Sequence, residues 1–398
     1  MPDFLTHAQE LFPYAQSLRR DFHRHPELGF QEIRTGGIVA QELEALGMEV
    51  TKGVGKTGVV GLLEGTRPGP TLLVRFDMDA LPITEETGAE YASQNPGVMH
   101  ACGHDAHTAI GLTVAKMLHT HRDELAGTIK FCFQPSEEGP NGEDVGGNVL
   151  MMQDGVLESP KVDMSLALHI WNEKPLGWLG IAAKPVMAGA DIFTIRVTGR
   201  GGHGAIPDRA VDPIVAAANM VLSLQTIVSR NVSPLDTAVV SVTNIHGGTA
   251  FNVIPQEVRL EGTIRTFDNG IRQKVVERIE QIASGVASAM GCQAEVSIKL
   301  ITPALVNNPS LAVRVQETAR RLLPGSDLDV EYQTMTAEDM AFMQQKIPGC
   351  YFFVGSNDAS RHLDYGHHHP KFDFNEEVLV RASALMASAA WDVLQSAA

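Results

Sequence analysis

The sequence predicts an α/β chain of two domains: a larger one with helices on both faces of a sheet, and a smaller α+β one inserted into it. Three observations lead there. A length of 398 residues is too great for one ordinary compact domain and comfortable for two. Over residues 1–186, short β-rich runs alternate with helical patterns, the texture of a sheet covered by helices. Over 187–300 the texture changes to a β-α-β-β-α-β order, the ferredoxin-like split unit.

In chain order, "TLLVRF" leads to Asp77, "TIKFCF" runs into "QPSEE", and "DMSLAL" places His169 at a strand end. Helical patterns fall between these runs, over 36–47, where Gly47 closes the helix, and over 105–121. In an open α/β sheet ligands gather beyond the carboxyl ends of the strands, so parallel strands would bring these residues into one crevice. The second domain reads as strand "DIFTIRVTG", helix "PIVAAANMVLSLQTIV", strands "TAVVSVTNI" and "EVRLEGTIRTF", helix "IRQKVVERIEQIASGVASAM" and strand "QAEVSIKLI". The first domain resumes over 301–398 with strand "CYFFVG" and the terminal helix "EEVLVRASALMASAAWDVLQ".

Composition narrows the function classes. Acidic residues number 47 against 31 basic ones, a formal net charge of −16, so a nucleic acid would be repelled over most of the surface. A small-molecule partner fits better. No apolar stretch is long enough to span a bilayer, because the best candidate, from Pro213, is interrupted by Asn219, Ser223 and Gln225. The four cysteines, Cys102, Cys132, Cys292 and Cys350, have no disulfide-like spacing, and the first residues carry no basic segment followed by an apolar run. A cytoplasmic setting is expected.

Two glycine-rich stretches imitate nucleotide motifs. "GRGGHG" at 199–204 fits G-x-G-x-x-G but lacks the acidic residue about 20 positions on, so a turn presenting His203 is the better reading. "GVGKTG" at 53–58 fails as a phosphate loop because Val50 stands where the first glycine is needed.

The chemistry concentrates in "HACGHDAH", residues 100–107. Thiolate and imidazole are good ligands for zinc and its neighbours, and Cys102 and His104 are close enough to share one site. A closed structural zinc site needs a second ligand pair of the CxxC or HxxxH kind, and none exists. Cys102 as a thiol nucleophile is the rival, without the sequence signatures of cysteine hydrolases around it. The remaining donors are Glu137 and Glu138, His169, and the triplet His367, His368, His369. Mixed N, O and S donors from separated loops suggest a catalytic metal with open positions. Of the adjacent acids one can coordinate while the other carries a proton. Asp77 and Asp79 offer further ligands, or partners that orient a metal-bound imidazole. His107, His119 and His121 read as helix residues facing away from the metal, and His100 is undecided.

The stretches "RRDFHRHPELGFQE", "RFDMDALPITEETG", "MHACGHDAHTAIGL", "QPSEEG", "GRGGHGAIPD", "NVIPQEVRLEGTIRTF", "TAEDMAFM" and "HHHPKFDFNEE" together resemble the M20 metallopeptidase family, in the amidohydrolase branch that holds hippurate hydrolases, N-acyl-amino-acid amidohydrolases and auxin-conjugate hydrolases. The resemblance runs from about residue 15 to 380 in matching order. It implies a zinc-peptidase-like catalytic domain built on a mixed sheet, with the inserted ferredoxin-like domain serving for dimerisation or as a lid. It implies two divalent ions per subunit, drawn from zinc, manganese, cobalt or nickel, with Cys102, His104, Glu138, His169 and His368 as ligands and His369 as second choice for the last. The wider family has His-x-Asp at the position of Asp77-Met78-Asp79 and an aspartate at Cys102, departures that the amidohydrolase branch shares. By the same resemblance Glu137 is the general base acting on metal-activated water, and Asp79 belongs to the catalytic set. His203 would stabilise the oxyanion, often across a subunit boundary, and Asn252 with Arg265 would bind the substrate's free carboxylate. A cross-strand salt bridge is the structural alternative for Arg265. The implied reaction is hydrolysis of N-acyl-L-amino acids by a homodimer or higher homo-oligomer, with a metallocarboxypeptidase or dipeptidase as the nearest alternative.

Overall fold

The structure, a computed structural model, describes residues 2–139 and 142–396. The chain divides into two compact units, one of Met1–Lys184, Val306–Gln333 and Phe342–Ala398, the other of Pro185–Leu305 and Thr334–Ala341. The second unit thus takes in Thr334–Ala341, a segment that the sequence reading places in the resumed first domain.

The first unit is built on an eight-stranded mixed sheet. Its strands are β1 (Glu49–Val54), β2 (Gly58–Glu64), β3 (Arg67–Asp77), β4 (Ala126–Gln134), β5 (Met164–Pro175) and β6 (Trp178–Gly180), with the later strands Asp327–Asp329 and Gly349–Asn357. The order across the sheet is β1, β2, β4, β3, β5, Gly349–Asn357, β6, Asp327–Asp329. The four central strands, β4, β3, β5 and Gly349–Asn357, run parallel. They read as nearly continuous apolar runs because both their faces are buried.

One face is covered by α1 (Phe4–Glu10), α2 (Phe12–Arg24), α3 (Ile33–Ala45), α4 (His104–Thr120), Pro309–Leu322 and the C-terminal helix Val378–Gln395. Helix α4 lies close on β3 and β4 because position 111 is glycine: a Cβ there would stand 2.6 Å from Phe76 and 2.7 Å from Phe133. On the opposite face Met151, in α5 (Gly147–Gln153), meets the thiol of Cys132. The two N-terminal helices have no counterpart in the sequence reading, and the helices expected over 36–47 and 105–121 span Ile33–Ala45 and His104–Thr120.

The second unit has the predicted β-α-β-β-α-β order. Its four strands lie as Ala238–Gly247, Glu257–Thr266, Gly189–Thr198 and Gln293–Thr302, all antiparallel. Helices α6 (Pro213–Leu224) and α7 (Asn269–Ala289) cover one face, and Asp212 and Asp268 cap their N-termini by accepting backbone N–H bonds. The buried stripe of α7, Val275, Ile279, Ala283 and Ala287, repeats every fourth residue and packs on Phe193, Ile195, Leu260 and Ile264.

Candidate metal centre

The parallel strands deliver the chemistry to one end of the sheet. Asp77 closes β3 and Asp79 follows two residues on, while Gln134 closes β4 and leads through Pro135 and Ser136 to Glu137 and Glu138. His169 lies within β5 rather than at its end, which corrects the sequence reading. It reaches the crevice because the pairing of β5 with β3 stops at Ala167, so β5 runs on past its shorter neighbour. Cys102 and His104 enter on the turn into α4. Gly103 has φ +97°, and a Cβ there would stand 2.6 Å from Ile170, so the turn can press directly against β5.

The loop that carries the histidine triplet is tied to this turn. The backbone N–H of His368, at φ +65°, donates to the carbonyl of Ala101 at 2.8 Å. Asn172 clasps the same loop by donating from its side chain to the carbonyls of Tyr365 at 2.8 Å and Asp373 at 3.0 Å.

Four segments therefore place their donor atoms together. Cys102, Glu138 and His368 form one group within 4.8 Å, and His104, Glu137 and Glu138 form another. Cys102 also groups with His169 and His367, and His104 with His107 and His169. His368 Nε2 stands 3.1 Å from Glu138 Oε1, and Cys102 Sγ stands 3.4 Å from His169 Nε2.

Hydrogen bonding decides which imidazoles have a lone pair to give. His104 Nδ1–H donates to the carbonyl of Asp79 at 2.9 Å and to its Oδ1 at 3.1 Å, leaving Nε2 buried without a hydrogen-bond partner, 3.8 Å from Asp77 and 3.9 Å from Glu138. Asp79 also accepts the backbone N–H of Glu138 at 3.0 Å, so one carboxylate orients two donors. His169 donates from Nδ1 to the carbonyl of Ile170, which turns Nε2 toward Cys102. His107 and His367 are different. His107 donates to Asp77 at 2.6 Å and accepts the N–H of Ile170 at 3.0 Å. His367 donates to the carbonyl of Cys102 at 3.2 Å and accepts the N–H of Asn172 at 3.0 Å. Both nitrogens of each are engaged with protein groups, so neither ring has a lone pair left to offer. His107 is nonetheless at the centre, stacked 5.4 Å from His104, and not facing away as the sequence reading has it. Its spacing of three from His104 is the signal that places both on one helix face. His369 spends Nδ1 on the N–H of Lys371 and stacks on Tyr365.

The electrostatics suit a cation. Burial opposes a proton on His104, yet the carboxylates of Asp77, Asp79 and Glu138 outweigh it and hold the pKa up at about 10. The same charges would favour a metal ion at the orphaned Nε2. His169 is pushed well below the ordinary range by burial and by the rings of His107 and His367, which keeps it in the neutral, ligating form. Burial, followed by Glu138 and Glu137, pushes the Cys102 thiol well up. A thiol nucleophile needs the opposite shift, whereas a coordinating cation would deprotonate the group outright. The donors present thus fit a divalent metal.

The second unit holds the other predicted residues. His203 lies in the short strand Gly202–His203, paired with Val253, and Asn252 accepts the N–H of Gly204 through its backbone carbonyl at 2.8 Å, so these two residues are neighbours. The glycine-rich stretch forms this turn and does not open a helix directly. Arg265 is half-buried in the strand Glu257–Thr266 and donates to Thr263 and to the carbonyl of Ile264 at 3.0 Å. It forms no cross-strand salt bridge among the described residues; the ion pair near it joins Asp191 to Arg272.

Comparison with known proteins bears on this arrangement. The profile of peptidase family M20/M25/M40 matches residues 73–392. The chain belongs to that family. Within it, the chain is 41% identical over 394 residues to the IAA-amino acid hydrolase ILR1-like 4 of Arabidopsis thaliana, covering 97% of this chain and 88% of that one. It is 39% identical over 381 residues to the N-acetylcysteine deacetylase of Bacillus subtilis (strain 168), covering 96% and 97%. Among solved structures it is similar to the YXEP protein of Bacillus subtilis, described as a dinuclear metal binding peptidase from the M20 family, with a TM-score of 0.84 and 35% identity over 97% of this chain and 99% of that one. The chain is accordingly an M20 hydrolase of the amidohydrolase kind, and the two-unit α/β architecture is that of the family. No helix among the described residues is long and apolar enough to cross a membrane.

Proposed function

We propose that this M20 chain hydrolyses the amide bond of N-acyl-L-amino acids, with Glu137 as general base. The observation that carries the proposal is the convergence of Cys102, His104, Glu138, His169 and His368, with Glu137 as the additional carboxylate within 4.8 Å of the His104 and Glu138 donors. These five residues would hold up to two divalent ions, of zinc, manganese, cobalt or nickel. The named activities of the two sequence relatives, deacetylation of N-acetylcysteine and hydrolysis of an IAA-amino acid, support an acylated amino acid as substrate. Bound metal supplies Lewis acidity at the scissile carbonyl and increases the acidity of water. The Glu137 carboxylate takes a proton from the attacking water and delivers it to the departing amine nitrogen. Asp79 keeps His104 and Glu138 aimed, and the rings of His107 and His367 wall the centre. His203 is assigned to the developing oxyanion, and Asn252 with Arg265 to the substrate carboxylate, for which a guanidinium fork is well shaped. The functional assembly is a homodimer, and no nucleic acid takes part.

The test is hydrolysis by metal-reconstituted protein of hippurate, N-acetyl amino acids with varied side chains, auxin conjugates and dipeptides. Turnover of the acylated amino acids is expected. Activity confined to dipeptides with free amino termini would overturn the reading in favour of a dipeptidase.

A further inference from the structure

Glu32 ends the stretch "PELGFQE" as the residue preceding α3, and nothing in the proposed chemistry uses it. It is fully buried. One carboxylate oxygen accepts the backbone N–H of Ser136 at 2.9 Å, and the other accepts the hydroxyl of Thr57 from the turn between β1 and β2. The first turn of α3 also packs closely on that turn, since a Cβ at Gly36 would stand 2.9 Å from the Thr57 carbonyl. Ser136 is the residue before Glu137 and has φ +47°, a conformation that costs a non-glycine residue energy unless its surroundings hold it there. On the far side of Glu137, the N–H of Glu138 is held by Asp79. Two buried carboxylates, from distant parts of the chain, therefore take the amides on either side of the candidate base.

We propose that Glu32 is a positioning residue for Glu137: it holds the backbone N–H of the residue before the base as Asp79 holds that of the residue after it, and so sets where the Glu137 carboxylate stands. The inference rests on Glu137 being the general base. Burial, with the nearby Asp79 charge, pushes the Glu32 carboxyl up to about 7. Accepting an N–H needs only an oxygen lone pair, so the amide of glutamine can replace the acid here. A misplacement of about 1 Å at a reacting group costs on the order of 10²-fold in rate.

The experiment uses the full metal-loaded protein and the panel substrate it turns over fastest. Glu32→Ala is expected to lower kcat about 10²-fold with KM within about threefold, and to speed amide hydrogen exchange in the peptide spanning 134–139. Glu32→Gln restores most of both. Glu32→Asp, one methylene shorter, keeps the acid but loses reach to Ser136, and shows the same kcat loss if the alanine variant fails to fold. Wild-type kcat in a folded Glu32→Ala or Glu32→Asp protein, or unchanged exchange at 134–139, overturns the inference. Glu137→Gln is measured beside them: if it retains turnover the base assignment fails, while the exchange readout still judges Glu32.

Discussion

At residue 368 the backbone adopts φ +65°, and this single conformation separates three consecutive histidines into three roles. His367 turns inward and spends both nitrogens on backbone groups of Cys102 and Asn172. His368 reaches Glu138, whose hydrogen bond raises the imidazole pKa above its ordinary value, and His369 stacks on Tyr365. His368→Ala is therefore expected to weaken metal binding by more than about tenfold, the scale seen when even supporting groups of a metal site are removed. His369→Ala should leave affinity within about threefold, because its ring is engaged elsewhere. Titration of metal-free protein checks this, and the reverse order of effects would move the ligand to His369.

Helix α2 helps to hold the centre without contributing a metal donor to it. Arg19 on this helix is fully buried and donates to Asp105 at 2.9 Å, Asp373 at 2.9 Å and Glu376 at 3.3 Å, with its guanidinium 4.2 Å over Phe374. It thereby pins the first turn of α4, next to His104, and the chain just after the histidine triplet. Burial opposes ionisation of Glu376, but hydrogen bonds from Arg20 and the charge of Arg19 hold its pKa below the ordinary value. A depressed folded pKa contributes stability above the unfolded value, about 4.3, and loses it as pH falls through the folded one. Glu376→Gln is expected to cost about 1.5–3 kcal/mol at pH 7, the worth of hydrogen bonds to a charged group. That gap should narrow below about pH 4, where the wild-type carboxylate is protonated as well. Urea denaturation at pH 7, 5 and 3.5 reads it; a gap that is constant with pH would mean that the ionised form is not what matters.

Across the whole molecule, what the sequence made legible follows from what a single chain segment can encode. The parallel strands announce themselves as apolar runs ending in Asp77, the 137–138 pair and the neighbourhood of His169, and the alternation of Gly189–Thr198 with the four-residue stripe of α7 marks the second unit. The roles of His107 and His367 were not legible, because they depend on the amides of Ile170 and Asn172, which arrive from β5. Nor was α2, whose inward face carries Arg19 and His23, buried charges that blur an apolar pattern and find their partners only in distant segments. The same holds for Glu32, whose partners lie 25 and 104 residues away.

In the proposed hydrolytic centre, built from four chain segments, the metal ligands and the proton carrier are different residues. Turnover by metal-loaded Glu137→Gln, with bound metal counted in the same sample, tests this most directly. The account predicts wild-type metal content and a kcat lower by about 10²–10⁴-fold, the usual contribution of a general base. Near-normal turnover by that variant with its metal in place would contradict it.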